Sequence, residues 1–290
     1  MFKSVAELGS LSEASKQLNK TQPAISQGIR QLESSLNLAL FSRSAYRLVL
    51  SDAGKIMYQR VLRILNETSS LRQLADHIAS GNEPRITLAI EASFDLKKIL
   101  PTLENVQNAF PDTEILLRQE YISGALEALN NQSATLCISP LESAFLVGLK
   151  TESQFLSSGC LVNVASPKLL SRHPNLRLSI ELIDEYQIVM QSSGTATQGK
   201  NFGVQDGQRC WLVNDFSTKV MLIEHGMGWG KVPENLAKES LSTGKLKRLN
   251  LTDVQNDLNL SYQIIKKQDQ ILGPVSQALW DQLLKNADPQ

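Results

Sequence analysis

The sequence predicts an α/β protein whose first 54 residues form a separate, all-α amino end. Three observations predict it. The first 65 residues hold nine Lys or Arg against four Asp or Glu, in a chain whose formal net charge is zero. The first 54 residues repeat a pattern of caps and helical spacing. From Arg85 onward, strand-like and helix-like segments alternate. At 290 residues the chain is long enough for two domains. With 42% hydrophobic and 20% charged residues, it is not a disordered or fibrous chain.

The amino end is justified helix by helix. Phe2, Val5, Ala6 and Leu8 suit one helical face, and Gly9 stops it. Ser10 or Ser12 caps the next helix, with Glu13 at capping-box spacing from Ser10. That helix runs to Leu18, and Asn19-Lys20 makes a short turn. Thr21 caps a third helix from Gln22 to about Leu36, with Pro23 in its first turn. Its expected apolar face is Ala24, Ile25, Ile29, Leu32 and Leu36. The other face shows Gln22, Ser26, Gln27 and Arg30, side chains that hydrogen-bond base edges or phosphates. Two strands, Leu40 to Arg43 and Arg47 to Leu50, flank Ser44-Ala45-Tyr46 as a basic wing. The result is a winged helix-turn-helix. By pattern alone, a helical hairpin in an enzyme core stays open, and so does chance as the source of the charge imbalance.

After the wing, Met57, Val61, Ile64, Thr68, Leu71, Ala75 and Ile78 step alternately by four and three. This heptad seam on a long linker helix needs a partner, and a second copy of the chain is the better one. A homodimer through this helix, and a tetramer built from it, is expected. Pairing two recognition helices predicts double-stranded DNA with a roughly palindromic operator.

Beyond Gly81 and Pro84, strands are expected at 85–90, 113–119, 134–139, 161–165, 187–191 and 261–266. Helices are expected at 96–110, 123–130, 216–225 and 275–284. The alternation implies mainly parallel sheets. Neither GxGxxG after a strand nor GxxxxGK[ST] occurs, so no nucleotide cofactor is expected. With three Cys and three His, no metal site built from them is expected. His77, His173 and His225 follow no expected strand, and no G-x-S-x-G turn occurs, so no enzyme is expected. No run of about 18 apolar residues and no signal-peptide core occurs, so a cytoplasmic protein without a membrane partner is expected.

The amino end resembles the LysR-type transcriptional regulators. The carrying residues are Ala6 to Ser15, Leu18, Thr21-Gln22-Pro23-Ala24-Ile25-Ser26-Gln27, Ile29-Arg30, Leu32-Glu33, Leu40-Phe41, Arg43 and Leu50-Ser51-Asp52-Ala53-Gly54. Leu100-Pro101, Phe110-Pro111, Val275 onward, and Gly226-Met227-Gly228 with Pro233-Glu234 extend the likeness. The resemblance implies three regions. Residues 1–54 are the DNA-binding domain, and 55–84 the dimerisation helix and hinge. Residues 85–290 are an effector domain of periplasmic-binding-protein type. One lobe would hold about 85–160 and 265–290, the other about 161–264, with chain crossings near 160 and 264. Family members usually have several residues ahead of Phe2, so the first helix is expected to be about one turn shorter. Gly28 stands where a larger polar residue is usual. It costs the helix about 0.5–1 kcal/mol and removes one DNA contact.

The expected roles follow. Gln27 and Arg30 face the major groove, with Ser26 sharing an edge with Arg30. Thr21 and Gln22 hold a phosphate at the helix start. Arg43 and Arg47 reach backbone or minor groove. A small anionic effector is expected outside the carboxyl ends of strands. Candidate contacts are Ser93, Ser139, Gln191, Ser193, Thr195 and Lys231. RNA polymerase is a candidate partner at promoters. Two alternatives are a redox sensor using Cys210, which has no second Cys nearby in sequence, and a ligand-binding protein or enzyme without a DNA role.

Overall fold

The computed structural model describes residues 1–44, 47–141, 149–195, 197, 203–205, 207–268 and 270–289. For 43, 44, 47, 66, 69, 70, 72–74 and 76–78 only the backbone is described. The chain divides into two compact units, Met1–Ser80 and Gly81–Gln290.

The first unit begins with α1 (Phe2–Leu8), α2 (Leu11–Gln17) and α3 (Gln22–Leu36). Gly9 ends α1 in the left-handed region at φ 62, where glycine carries no Cβ penalty. The Ser10 hydroxyl accepts from the Glu13 amide, and the Thr21 hydroxyl from the Ala24 amide. These satisfy backbone donors that a helix start leaves open. The core gathers Phe2, Val5, Ala14, Ile25, Ile29 and Leu40. Ala24 and Leu36, expected on the buried face, are exposed; the buried stripe of α3 is Ile25 and Ile29, with Leu32 packed at its edge.

The wing is an antiparallel pair, β1 (Phe41–Ser44) and β2 (Arg47–Leu50). Ala45 and Tyr46, expected as its turn, lie outside the described residues. Glu33 Oε1 accepts from the amides of Leu40 (2.8 Å) and Phe41 (3.2 Å), fixing the wing to α3. The helix α4 (Asp52–Ala79) then runs 28 residues. A Cβ at Gly54 would lie 2.0 Å from the Leu40 carbonyl oxygen, so only glycine lets α4 start this close.

The second unit is built on one nine-stranded sheet among the described residues. Its strands are β3 (Arg85–Glu91), β4 (Glu114–Glu120), β5 (Leu136–Pro140), β6 (Thr151–Ala165), β7 (Gln187–Met190), β8 (Cys210–Val213), β9 (Trp229–Pro233), β10 (Lys247–Arg248) and β11 (Asp257–Lys267). The order is β4-β3-β5-β11-β6-β9-β7-β8, with β10 also on β6. The helices are α5 (Leu100–Ala109), α6 (Gly124–Asn130), α7 (Pro167–Leu170), α8 (Phe216–Glu224), α9 (Glu234–Ser242) and α10 (Pro274–Lys285).

The sheet is mixed, not mainly parallel. Pairs β3–β4, β3–β5, β7–β8 and β7–β9 are parallel. Pairs β5–β11, β11–β6, β6–β9 and β6–β10 are antiparallel. The long strands β6 and β11 run side by side and carry the chain between two lobes, so they cannot follow the βαβ rule.

Side-chain alternation sorts the cores. On β3, Ile86, Leu88 and Ile90 face α5 and α10, while Ala89 faces α6. Leu136 and Ile138 join the first cluster, and Cys137 joins the second. The other lobe is built on Val162, Val164, Ile188, Val232 and their neighbours. Leu260, Tyr262 and Ile264 pack in the first lobe's core, so packing puts the second crossing some residues before 264.

Candidate functional site

In the first unit, α3 separates its two faces cleanly. Ile25 and Ile29 are buried, while Thr21, Gln22, Gln27 and Arg30 are exposed and Ser26 is half-exposed. Arg30 Nη2 donates to Ser26 Oγ at 3.1 Å. That bond holds the guanidinium along the helix edge beside Gln27. The cap at Thr21 stands in solvent at the start of α3, and its hydroxyl takes the Ala24 amide. Arg43 and Arg47 sit on paired wing strands, Arg43 opposite Leu48 and Arg47 opposite Ser44; their side chains lie outside the described residues. Gly28 is half-exposed, and a Cβ there would come within 2.9 Å of the Met1 side chain. The glycine therefore abuts the chain's own amino end.

Along α4 the heptad seam divides. Met57 and Val61 pack on the core of the first unit. Ile64 (63% exposed) and Leu71 (67%) do not, and Thr68 and Ala75 are also exposed. The Ile78 and His77 side chains lie outside the described residues.

In the second unit, a cavity of about 390 Å³ lies between the lobes. That volume falls in the usual range of small-molecule sites. Ser93, Ser139 and Lys231 line it as expected. Lys231 belongs to strand β9, which the sequence reading missed. Gln191, Ser193 and Thr195 do not line it; all three are exposed. The Ser193 hydroxyl instead donates to Glu120 Oε2 (2.7 Å) and accepts from the Tyr121 amide (2.8 Å). Thr195 donates its amide (2.7 Å) and hydroxyl (2.9 Å) to Glu127 Oε2. Ser123 and Thr197 hydroxyls meet at 2.7 Å. This Ser/Gly/Thr segment is thus a clasp from β7 onto the start of α6 in the other lobe. A Cβ at Gly124 would lie 2.0 Å from Ser193 Oγ, and one at Gly194 lies 2.1 Å from Glu127 Oε1. Small residues on both sides let the clasp close.

Two buried charged residues of the cavity lining were not foreseen. Glu91 ends β3 at 8% exposure, and Lys219 lies on α8 at 5%. Both line the cavity. Glu91 Oε2 accepts from the Ser93 amide (2.9 Å) and hydroxyl, and Oε1 from the Ile122 amide at 3.4 Å. Tyr262 OH meets the Ser93 hydroxyl at 2.6 Å, and the absence of a Cβ at Gly159 makes room for the Tyr262 ring. Burial raises the Glu91 carboxyl pKa, against the opposing pull of the Ser93 donors. Lys219 has no hydrogen-bond or ion-pair partner among the described residues. Burial, and then the nearby Lys231 charge, lowers its pKa to about 7. Lys231 is also lowered by burial, with Asp257 opposing. Signals for both were present. Glu91 terminates a mostly apolar strand whose last four residues are buried, and Phe216, Lys219 and Ile223 share the 3,4 spacing of one buried helix stripe.

Cys210 opens β8, half-buried, and burial raises its thiol pKa. A sensor thiol is activated by the opposite shift. No helix among the described residues is long and apolar enough to cross a membrane.

A helix-turn-helix with a solvent-facing polar helix, joined in one chain to a two-lobed domain with a charged cleft, defines the class of ligand-responsive DNA-binding regulators. The family comparison says which. The model of the bacterial regulatory helix-turn-helix protein, lysR family, matches residues 1–55, and that of the LysR substrate binding domain matches 79–288. The chain belongs to the LysR family and is a DNA-binding transcriptional regulator with an effector-binding domain.

It is 25% identical over 287 residues to the HTH-type transcriptional regulator AceR of Acinetobacter baumannii, covering 97% of this chain and 93% of the relative. It is 26% identical over 250 residues to PunR of Escherichia coli, covering 85% and 80%. Full-length AphB of Vibrio cholerae shares the fold at TM-score 0.50, with 19% identity over 99% of this chain and 97% of that one. Full-length LysG of Corynebacterium glutamicum does so at 0.52, with 18% identity over 98% and 94%. LysR-type regulators bind DNA and small-molecule effectors and form oligomers.

Proposed function

We propose that this chain reads a two-part DNA site with α3 and responds to a small anionic ligand held in the interlobe cleft. One observation carries the DNA assignment: Gln22, Gln27 and Arg30 stand exposed on a helix whose other face is core. Gln27 and Arg30 read base edges in the major groove, and Ser26 positions Arg30. Thr21 and Gln22 hold a phosphate, and Arg43 and Arg47 extend the contact from the wing. Two copies pair through the exposed Ile64–Leu71 stretch of α4, which places two recognition helices on one operator. RNA polymerase is the further partner at the promoter, and the setting is the cytoplasm.

Lys219, Lys231 and Ser139 take the ligand's anionic group. Ser193 and Thr195 belong to the clasp that holds the lobes together rather than to the ligand shell, and the Gln191 amide pairs with the Val213 carbonyl inside its own lobe. Ligand binding that favours one lobe arrangement is read out as a changed DNA affinity.

The test uses a duplex that the wild type selects from a random pool. Arg30→Ala should weaken binding by about tenfold or more, the worth of one good base contact, and relax preference at one position. Unchanged affinity and unchanged preference, with the helix content intact, reject the recognition-helix assignment.

A further inference from the structure

The cleft holds a buried acid and a buried base that form no ion pair with each other among the described residues. Glu91 and Lys219 are each more than nine-tenths buried, each lines the cavity, and no ion pair links them among the described residues. Glu91 comes from the first lobe, at the end of β3. Lys219 comes from the second, with Lys231 beside it. Apart from these three, the lining carries no charged side chain among the described residues. A buried charge without a partner is costly, and it persists where function requires it.

Both groups have free capacity toward the cavity. Lys219 offers three N–H donors and uses none on the described residues. Glu91 Oε2 is occupied by Ser93, whereas Oε1 receives only the 3.4 Å bond from Ile122. All three bonds to Glu91 are donated by protein groups, which favours the carboxylate form and opposes the desolvation that raises its pKa. The same lining includes apolar side chains, among them Ile188, Phe216 and Leu258.

We infer that the effector is amphoteric: a small molecule with a carboxylate or equivalent anion for Lys219 and Lys231, a protonated nitrogen for Glu91, and a compact apolar body between them. A purely anionic ligand would meet Lys219 but face the buried Glu91 charge. A purely cationic one would face two lysines. A neutral apolar one would leave both charges unpaired. The inference rests on the ligand-cleft reading above and narrows its chemistry.

The test uses matched triads in a thermal-shift titration of the full chain. Each triad holds an amino acid, the same molecule lacking its amine, and the same molecule lacking its carboxylate. Leucine with 4-methylpentanoate and 3-methylbutylamine is one, and phenylalanine with 3-phenylpropanoate and phenethylamine another. The remaining neutral amino acids and the ω-amino acids extend the set. For at least one triad the amphoteric member should act at about tenfold lower concentration than either truncated member, the scale expected when one buried charge is left unmatched. Glu91→Gln should remove its advantage over the carboxylate, and Lys219→Met its advantage over the amine. Carboxylates that match their amino acids in the wild type overturn the inference and leave the anionic-ligand reading standing. No shift from any triad overturns the inference as well. A response only to uncharged molecules overturns both readings. The wild-type comparison needs no variant to fold.

Discussion

Lys219→Met separates a lysine kept for ligand from a lysine kept for structure. In the ligand-free chain, burial lowers the Lys219 pKa from the ordinary 10.5 to about 7. At about 1.4 kcal/mol for each factor of ten, the protonated lysine opposes folding by an amount on the order of 5 kcal/mol. The sign follows from proton counting. Between pH 7 and 10.5 the unfolded chain binds the proton more strongly than the folded one, so wild-type stability rises with pH across that window. Below pH 7 the whole cost is present. Methionine keeps the unbranched stem and carries no charge. The variant should therefore be more stable than the wild type at pH 7, by several kcal/mol. The gap should narrow by about 2 kcal/mol on going to pH 9, somewhat less than two full factors of ten because the folded lysine is already half deprotonated at pH 7. Urea unfolding followed by tryptophan fluorescence isolates the right unit, because Trp211, Trp229 and Trp280 all lie in residues 81–290. A methionine variant no more stable than the wild type at pH 7, or a gap that ignores pH, refutes the buried and unpaired lysine.

Three further outcomes can be checked together. Gly230→Ala should destabilise the second unit by about 1–3 kcal/mol in the same melts, because its Cβ would stand 2.7 Å from the Ile188 carbonyl oxygen and 3.3 Å from Lys219 Cε. Ser193→Ala with Thr195→Ala should open the clasp: amide exchange at Tyr121 and Thr195 should speed up by about tenfold or more, as bonds to carboxylates and their neighbours are lost, while ligand-free DNA binding stays unchanged. Ile64→Asp with Leu71→Asp should turn dimers into monomers by sedimentation; an unchanged mass rejects α4 as the pairing helix.

The amino end was legible because its information is local. Caps at Ser10 and Thr21, the stop at Gly9 and the spacing of Ile25 and Ile29 all act within a few residues, and they form as the sequence indicates. Even the link from Glu33 to Leu40 and Phe41 spans only a short loop. The second unit was legible only in part. The first half of β6, Thr151–Cys160, is rich in polar and small residues, so neither its length nor its antiparallel partner could be read. The cleft depends on contacts far apart in sequence: Ser93 to Tyr262, and Tyr121 to Ser193. The hydroxyl-rich segment 191–195 looked like a ligand loop because hydroxyls serve ligands and clasps equally well. Lys219 was overlooked because a lysine in a helix is ordinarily solvated, and its place on the buried stripe was the only warning.

The central claim is that paired α3 helices read DNA through Gln27 and Arg30. Selection of bound duplexes from a random pool tests it directly. The wild type should enrich two related half-sites in inverted order at one fixed spacing, near a whole number of helical turns, and a Gln27→Ala, Arg30→Ala double variant should lose that motif. Enrichment of a single unpaired half-site, no enrichment, or the same motif from the double variant contradicts the account.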